Sequence, residues 1–196
     1  QLGYRIKLLG ITKRMPEGVE LRVHPTLIPA KRLIANVEGA MNAVLVKGDA
    51  VGATLYYGKG AGAEPTASAV IADLVDVTRM HTADPEHRVP HLAFQPGAMV
   101  ELPILPIAEV TTSYYLRLRV EDRTGVLADV TRLLADNGIS IDAMIQREPE
   151  EGEEQTDIIM LTHQTRERHV DQAIAGIEAL PAVKGKIVRL RLEELL

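Results

Sequence analysis

Tyr114-Tyr115-Leu116-Arg117-Leu118-Arg119-Val120, followed by Asp122-Arg123-Thr124-Gly125-Val126-Leu127, is the stretch that decides the fold. The first run alternates: Tyr115, Arg117 and Arg119 share one face, and Leu116, Leu118 and Val120 share the other. A two-residue period of this kind marks a strand with one buried side. Val126, Leu127, Val130, Leu133 and Leu134 then recur at helical spacing, and Asn137-Gly138 is a good helix stop. Ile139-Ser140-Ile141 and Ile158-Ile159-Met160-Leu161 read as strands around an acidic connection. Thr165 is placed to cap a second helix, striped by Val170, Ile174 and Ile177 and ended by Pro181. Lys186 to Leu192 is a last strand. The order β-α-β-β-α-β over residues 113–196 predicts the ferredoxin-like plan, a four-stranded sheet with two helices on one face.

Charge divides the chain as a whole into three parts. Residues 1–83 carry a net +3, residues 84–112 a net −3 and residues 113–196 a net −5. The middle part holds five of the eleven prolines and has no sustained period, so it reads as a linker or extended crossing segment. In the first part, Tyr4 to Thr12 and Val19 to Val23 are β-type runs, and His24-Pro25 and Ile28-Pro29 punctuate the next stretch. Ala43 to Val46 and Val51 to Tyr57 flank Lys47-Gly48-Asp49-Ala50, a hairpin turn. Beyond Gly58-Lys59-Gly60-Ala61-Gly62, the residues Ala67, Val70, Ile71, Leu74 and Val77 define one apolar helix face. The fold class is α+β: a partial domain with mixed or antiparallel sheet and one main helix, then the βαββαβ unit. The chain opens on Gln1-Leu2-Gly3 and runs at once into a strand, from which we expect a longer protein with further sequence upstream.

Composition removes whole classes of function. At 46 % hydrophobic and 25 % charged residues, the chain is not disordered. No apolar run approaches the roughly 18–20 residues a bilayer span needs, and no N-terminal signal pattern is present, so a membrane partner is not expected. Zero cysteines exclude disulfides and thiolate metal sites and fit a cytoplasmic location. With 22 basic against 27 acidic residues, no Trp and a single Phe, neither phosphate neutralisation nor base stacking supports nucleic-acid binding.

Two junctions carry chemistry. The glycines of Gly58–Gly62 lie between a strand and a helix, where backbone N–H groups can approach an anionic ligand. The spacing is not the dinucleotide fingerprint, and Ala63-Glu64 stands where a Walker loop needs Lys-Ser/Thr, so a tight turn stays open as the alternative. At Asp122–Leu127, Asp122 can cap the helix, or the helix start can receive an amino-acid carboxylate. Glu148-Pro149-Glu150-Glu151-Gly152-Glu153-Glu154 lacks calcium-loop spacing and reads as a solvated hairpin tip. The six histidines never pair at metal-ligand spacing, and His24 and His163 read as structural or solvent-facing. No catalytic or metal-binding set is recognisable.

The segments Gly3-Tyr4-Arg5-Ile6-Lys7-Leu8-Leu9-Gly10, Ala35-Asn36-Val37-Glu38-Gly39-Ala40-Met41-Asn42-Ala43-Val44 and Gly58-Lys59-Gly60-Ala61-Gly62-Ala63-Glu64-Pro65-Thr66-Ala67-Ser68-Ala69-Val70 resemble signatures of homoserine dehydrogenase. Tyr114 to Arg117 leading to Asp122–Leu127 resembles the ACT domain appended to its bacterial members. Together the resemblance spans essentially the whole chain. It implies that residues 1–83 end a catalytic and dimerisation domain, that 84–112 link, and that 113–196 form an ACT regulatory domain. It implies a parent enzyme that interconverts L-homoserine and L-aspartate 4-semialdehyde with NAD or NADP, on the route to threonine and methionine. The family's catalytic lysine and aspartate lie upstream of Gly3-Tyr4-Arg5-Ile6, so none of Lys7, Lys13 or Lys59 takes that role, and this chain by itself is expected to be inactive.

Residue by residue, the resemblance implies cofactor contact at Gly60 or Gly62. For the ACT domain it implies an effector, threonine, at Asp122, Gly125 and Val126 and at Asn137 to Ser140, between two copies of a homo-oligomer that is at least a dimer. Thr124 stands where many relatives carry proline, which leaves φ of that loop unset. A rival reading is a stand-alone amino-acid-binding regulatory module without catalysis, against which the Gly-rich segment argues. A structural dimerisation fragment is a third.

Overall fold

The computed structural model describes residues 2–82, 94, 96–146 and 152–195. Two strands open it, β1 (Tyr4–Met15) and β2 (Gly18–Pro29), paired antiparallel over their whole length from Tyr4 opposite Pro29 to Met15 opposite Gly18. The prolines expected to punctuate this stretch instead lie within β2. The restriction a proline places on its predecessor favours extended backbone, so His24-Pro25 and Ile28-Pro29 are compatible with an outer hairpin. Next come a 3-10 turn at Leu33–Asn36, the hairpin β3 (Met41–Gly48) and β4 (Gly52–Lys59), and the helix α1 (Ala63–Thr82). After 3-10 turns at Pro96–Ala98 and Ile107–Glu109 come β5 (Thr111–Glu121), α2 (Val126–Asp136), β6 (Ile141–Gln146) and β7 (Gln155–Thr162). A two-residue strand β8 (Thr165–Arg166), α3 (Glu167–Glu178) and β9 (Val183–Leu192) complete the order.

Residues 1–35 and 103–195 form one compact unit and residues 36–102 another, a different cut from the division by charge. In the first unit the strand order is β1-β2-β9-β5-β7-β6. The last four strands are the expected ferredoxin-like sheet, antiparallel throughout. The surprise is at the other edge, where β2 lies parallel to β9 through Thr26 opposite Arg191 and Leu27 opposite Leu192. The four-stranded sheet expected from residues 113–196 is therefore six strands wide and mixed.

The alternation in β5 does what its pattern requires: Tyr114, Leu116, Leu118 and Val120 are buried to 1 % exposure or less. They pack against Val126, Val130 and Leu134 of α2, Val170, Ala173 and Ile177 of α3, and Ile158 and Met160 of β7. Each such side chain contributes roughly 1.5–3 kcal/mol relative to exposure. α2 stops as expected. Gly138 sits at φ 70°, its N–H donates to Ala135 O, and the Ile139 N–H donates to Leu134 O at 2.9 Å. This is a Schellman closure that uses Ile139 and Ser140 before β6 begins. The opposite face of the sheet curls into an open apolar groove of about 590 Å³, lined by Tyr4, Ile6, Tyr115, Arg117, Ile159 and Leu190 among others.

In the second unit β3 and β4 pair antiparallel from Met41 opposite Lys59 to Gly48 opposite Gly52, as the hairpin reading expects. α1 forms where its stripe predicts, yet every residue from Thr66 to Arg79 is exposed. Among the described residues, no helix is long and apolar enough to cross a membrane. The expected hairpin tip at Glu148–Glu151, and residues 84–93 and 95 of the expected linker, lie outside the described residues.

Candidate functional site

The glycine loop leaves β4 and enters α1, whose first turn closes with the Thr66 N–H donating to Gly62 O at 3.1 Å. Both candidate glycines have local reasons to be glycine. A Cβ on Gly60 would lie 2.4 Å from Asn42 Nδ2, and Gly62 sits at φ +130° with its missing Cβ 3.3 Å from Pro65 Cδ. Such a backbone strongly favours glycine. The tight-turn alternative thus has its own geometry, and the loop itself is exposed.

The effector residues fall into two groups. Asp122 is exposed where β5 ends, and its N–H donates to Glu154 O at 2.9 Å. α2 takes Gly125, at φ 92°, as its N-cap and has no side-chain cap hydrogen bond, so Asp122 does not cap it. Val126 is 3 % exposed and belongs to the core, leaving only its backbone for a ligand. At the far end of α2, the Asn137 carboxamide donates to Leu133 O at 2.8 Å. Ser140 is exposed, and its carbonyl accepts the His163 N–H at 2.9 Å. Gly125 and Asn137 therefore bracket a whole helix, about 16 Å at 1.5 Å per residue. A single copy does not bring the two groups around one small molecule.

Thr165, expected to cap α3, lies instead in β8 opposite Thr112, and the N-cap is Arg166 with no side-chain bond. The ladder with β5 takes the backbone that a cap would need in another orientation. Glu167, the first helical residue, donates its N–H to Val110 O.

Sequence reasoning missed a buried polar seam. On β2, Glu20, Arg22, His24 and Thr26 all point inward and are 9 % exposed or less. Arg22 donates to Glu193 Oε1 at 2.5 Å and to Glu20 Oε2 at 3.4 Å, and Lys13 Nζ reaches Glu193 at 2.9 Å. His24 joins Arg22 through Nε2 at 3.3 Å and the Thr26 hydroxyl through Nδ1 at 3.0 Å. Burial, with Arg191 and Arg22 nearby, pushes the His24 imidazole below its ordinary value against the opposing Pro25 carbonyl contact. Next along the sheet, Glu167 accepts from Arg191 Nε and from the Tyr114 hydroxyl, both at 2.7 Å. Burial works to raise the Glu167 carboxyl, but the bonds from Arg191 and Tyr114 outweigh it and hold it below the usual range. Burial and the Glu167 bond drive the Tyr114 phenol upward. The signal was present as an alternation of polar residues, Glu20-x-Arg22-x-His24-x-Thr26, on one strand face. Among the described residues no group of metal-ligating side chains assembles.

A βαββαβ unit of the ferredoxin-like class, its sheet extended by a hairpin, stands in one chain with a glycine-rich strand-to-helix turn. The homoserine dehydrogenase family matches residues 1–75, and the ACT domain matches residues 114–182. The chain is 58 % identical over 99 % of its length to a homoserine dehydrogenase of Pseudomonas aeruginosa. It is 61 % identical over 97 % of its length to that of Methylobacillus glycogenes. A crystal structure of a homoserine dehydrogenase from Thiobacillus denitrificans superposes with a TM-score of 0.91 at 71 % identity, over 99 % of this chain and 43 % of that one. The chain corresponds to the C-terminal portion of these homoserine dehydrogenases, the end of the homoserine dehydrogenase domain followed by an ACT domain. It spans about 45 % of the length of the curated relatives it matches.

Proposed function

We propose that the chain serves an oxidoreductase that interconverts L-homoserine and L-aspartate 4-semialdehyde with NAD or NADP in the cytoplasm, and that its ACT domain takes threonine as a feedback effector. In this reading residues 1–83 complete the catalytic and dimerisation domain, 84–112 link, and 113–196 sense. The observation that carries the regulatory part is the pair of candidate effector segments at opposite ends of α2. Their separation calls for a second copy, with Asp122 receiving the effector ammonium, the N–H groups at Gly125 and Val126 its carboxylate, and Asn137 to Ser140 of the other copy its side chain. Asn137 enters through the rest of its carboxamide, since one carboxamide N–H and its backbone N–H already close α2. Gly60 and Gly62 face the cofactor through backbone N–H groups, since glycine has no side chain.

Calorimetry with L-threonine on the folded, self-associated 196-residue chain tests this. Asp122 caps no helix, so Asp122→Ala leaves stability nearly unchanged while weakening threonine binding roughly 10- to 100-fold, the loss of one charge-assisted hydrogen bond. No heat from the wild type, or equal affinity in the variant, overturns the reading.

A further inference from the structure

Glu193 lies beyond the ACT match, which ends at residue 182, and the residues it holds, Lys13 and Arg22, lie within the homoserine dehydrogenase match. Four bonds converge there. Its carboxylate takes Lys13 and Arg22, its N–H donates to Leu27 O at 3.0 Å, and the preceding Leu192 O accepts the Thr112 hydroxyl at 2.7 Å. Its side chain is 8 % exposed and that of Arg22 2 %. Among the described residues, Arg22 Nε is buried without a hydrogen-bond partner.

β9 connects this end to the candidate effector loop. Where β9 begins, the Glu121 N–H donates to Ala182 O at 2.9 Å, one residue before Asp122. Lys184 and Arg123 both pair with Glu121, at 2.6 and 3.0 Å. Between the two ends, the register of β9 against β5 shifts between Arg117 and Arg119, at a bulge where Gly185 takes φ 74°. Glu178 pins that bulge through Lys186 Nζ at 2.6 Å and the Ile187 N–H at 2.9 Å. A bulge is a place where a strand changes pairing and twist without losing its ends. One strand thus reaches the loop expected to bind the effector, carries a register shift, and leads into a buried ion clamp on the β1–β2 hairpin.

We propose that the Glu193 carboxylate, clamped by Arg22 and Lys13, is the positioning contact through which effector binding at the ACT loop is transmitted along β9 to the β1–β2 hairpin. The proposal rests on the amino-acid-effector reading above. Transmission means that threonine binding tightens the hairpin, and that a loosened clamp uncouples the two ends without removing the effector site.

The test uses the whole 196-residue chain. Calorimetry with L-threonine comes first, then amide hydrogen exchange with and without saturating threonine. In the wild type, threonine slows exchange of the β1–β2 amides by about 10-fold, within the usual range of coupling between sites. Glu193→Gln still binds threonine but loses that slowing, and Glu193→Asp regains part of it. Lys13→Met, which leaves the buried Arg22–Glu193 pair in place, reduces the slowing and serves if Glu193→Gln does not fold. Glu109→Gln breaks the exposed pair with Arg168 and leaves the slowing intact. Bound threonine without slower hairpin exchange in the wild type overturns the transmission and leaves the effector reading standing. Undiminished slowing in both Glu193→Gln and Lys13→Met overturns it equally. Absence of binding heat fails the effector reading itself, and the proposal with it.

Discussion

Helices α2 and α1 are marked in the sequence by the same kind of stripe and meet opposite fates. The stripe of α2 is covered: Val126, Val130 and Leu134 are 3 % exposed or less. The stripe of α1 is bare, with Val70 at 52 %, Ile71 at 59 %, Leu74 at 57 % and Val77 at 59 % exposure. An apolar period of 3.6 residues therefore specifies a helix and the side it offers, and is silent about what covers that side. Within its compact unit α2 has α3 and the sheet to pack against, whereas the described residues of the other unit place nothing over the α1 stripe. Helical stability comes mostly from such packing, so the two helices differ in what holds them.

The largest expected effect measures that contrast directly. Leu118→Ala, at a fully buried position of β5, lowers unfolding stability by about 2–5 kcal/mol, the usual cost of emptying a leucine site. Leu74→Ala in α1 changes it by about 0.5 kcal/mol or less, as at other exposed positions. Urea unfolding monitored by circular dichroism gives both. Equal losses would erase the contrast and show that the α1 stripe is covered in solution, as a self-associating chain would cover it.

A smaller effect separates the units at their glycines. A Cβ on Gly18 would lie 2.3 Å from the Pro103 carbonyl oxygen, and φ there is +157°. Gly18→Ala therefore costs about 1–3 kcal/mol, because backbone on both sides must shift. Gly60→Ala meets only the Asn42 carboxamide, a flexible side-chain end, and costs less than about 1 kcal/mol. Unfolding midpoints of the two variants uphold or reverse the ranking.

The smallest is a pH slope confined to the six-stranded unit. His24 is held below its ordinary value of 6.5, so the unfolded chain binds its proton first. Stability attached to His24 is complete above that value and falls as pH drops below it, toward the folded-state value. Glu167, held low, adds a loss only at more acid pH, below its ordinary 4.5. The wild-type urea midpoint therefore declines from about pH 7 to about pH 5, and His24→Gln flattens that decline. An unchanged slope in the variant would remove His24 from the account.

The βαββαβ unit was legible because its strands alternate cleanly and its helices carry both a stripe and a stop. Leu116, Leu118 and Val120 face the core as their spacing required, and Asn137-Gly138 closes α2. The joining of β2 to β9 was not legible, since two aligned residue pairs far apart in sequence leave no local period. Arg22, Lys13 and Glu193 were overlooked for a related reason. Charged side chains are expected in water, and only their partners, contributed by distant segments, make burial tolerable. At the candidate effector site, the resemblance pointed to Asp122 and Asn137 alike. The stripe and its Asn137-Gly138 stop already set them at opposite ends of one helix, and the structure confirms that helix over Val126–Asp136.

The parallel pairing of β2 with β9 also orders events in time. β9 lies between the hairpin and the rest of the sheet, and Arg22 and Glu193 are 171 positions apart. During synthesis the hairpin emerges well before β9 and then waits, its inward Glu20, Arg22 and His24 still in water, until that strand leaves the ribosome. Contacts of such long sequence separation form slowly, and unpaired strand edges are sticky while they wait. Truncation before Val183 would therefore leave the hairpin without its partner strand, and a nascent chain stalled at that point would display β2 as an open edge for chaperones to hold.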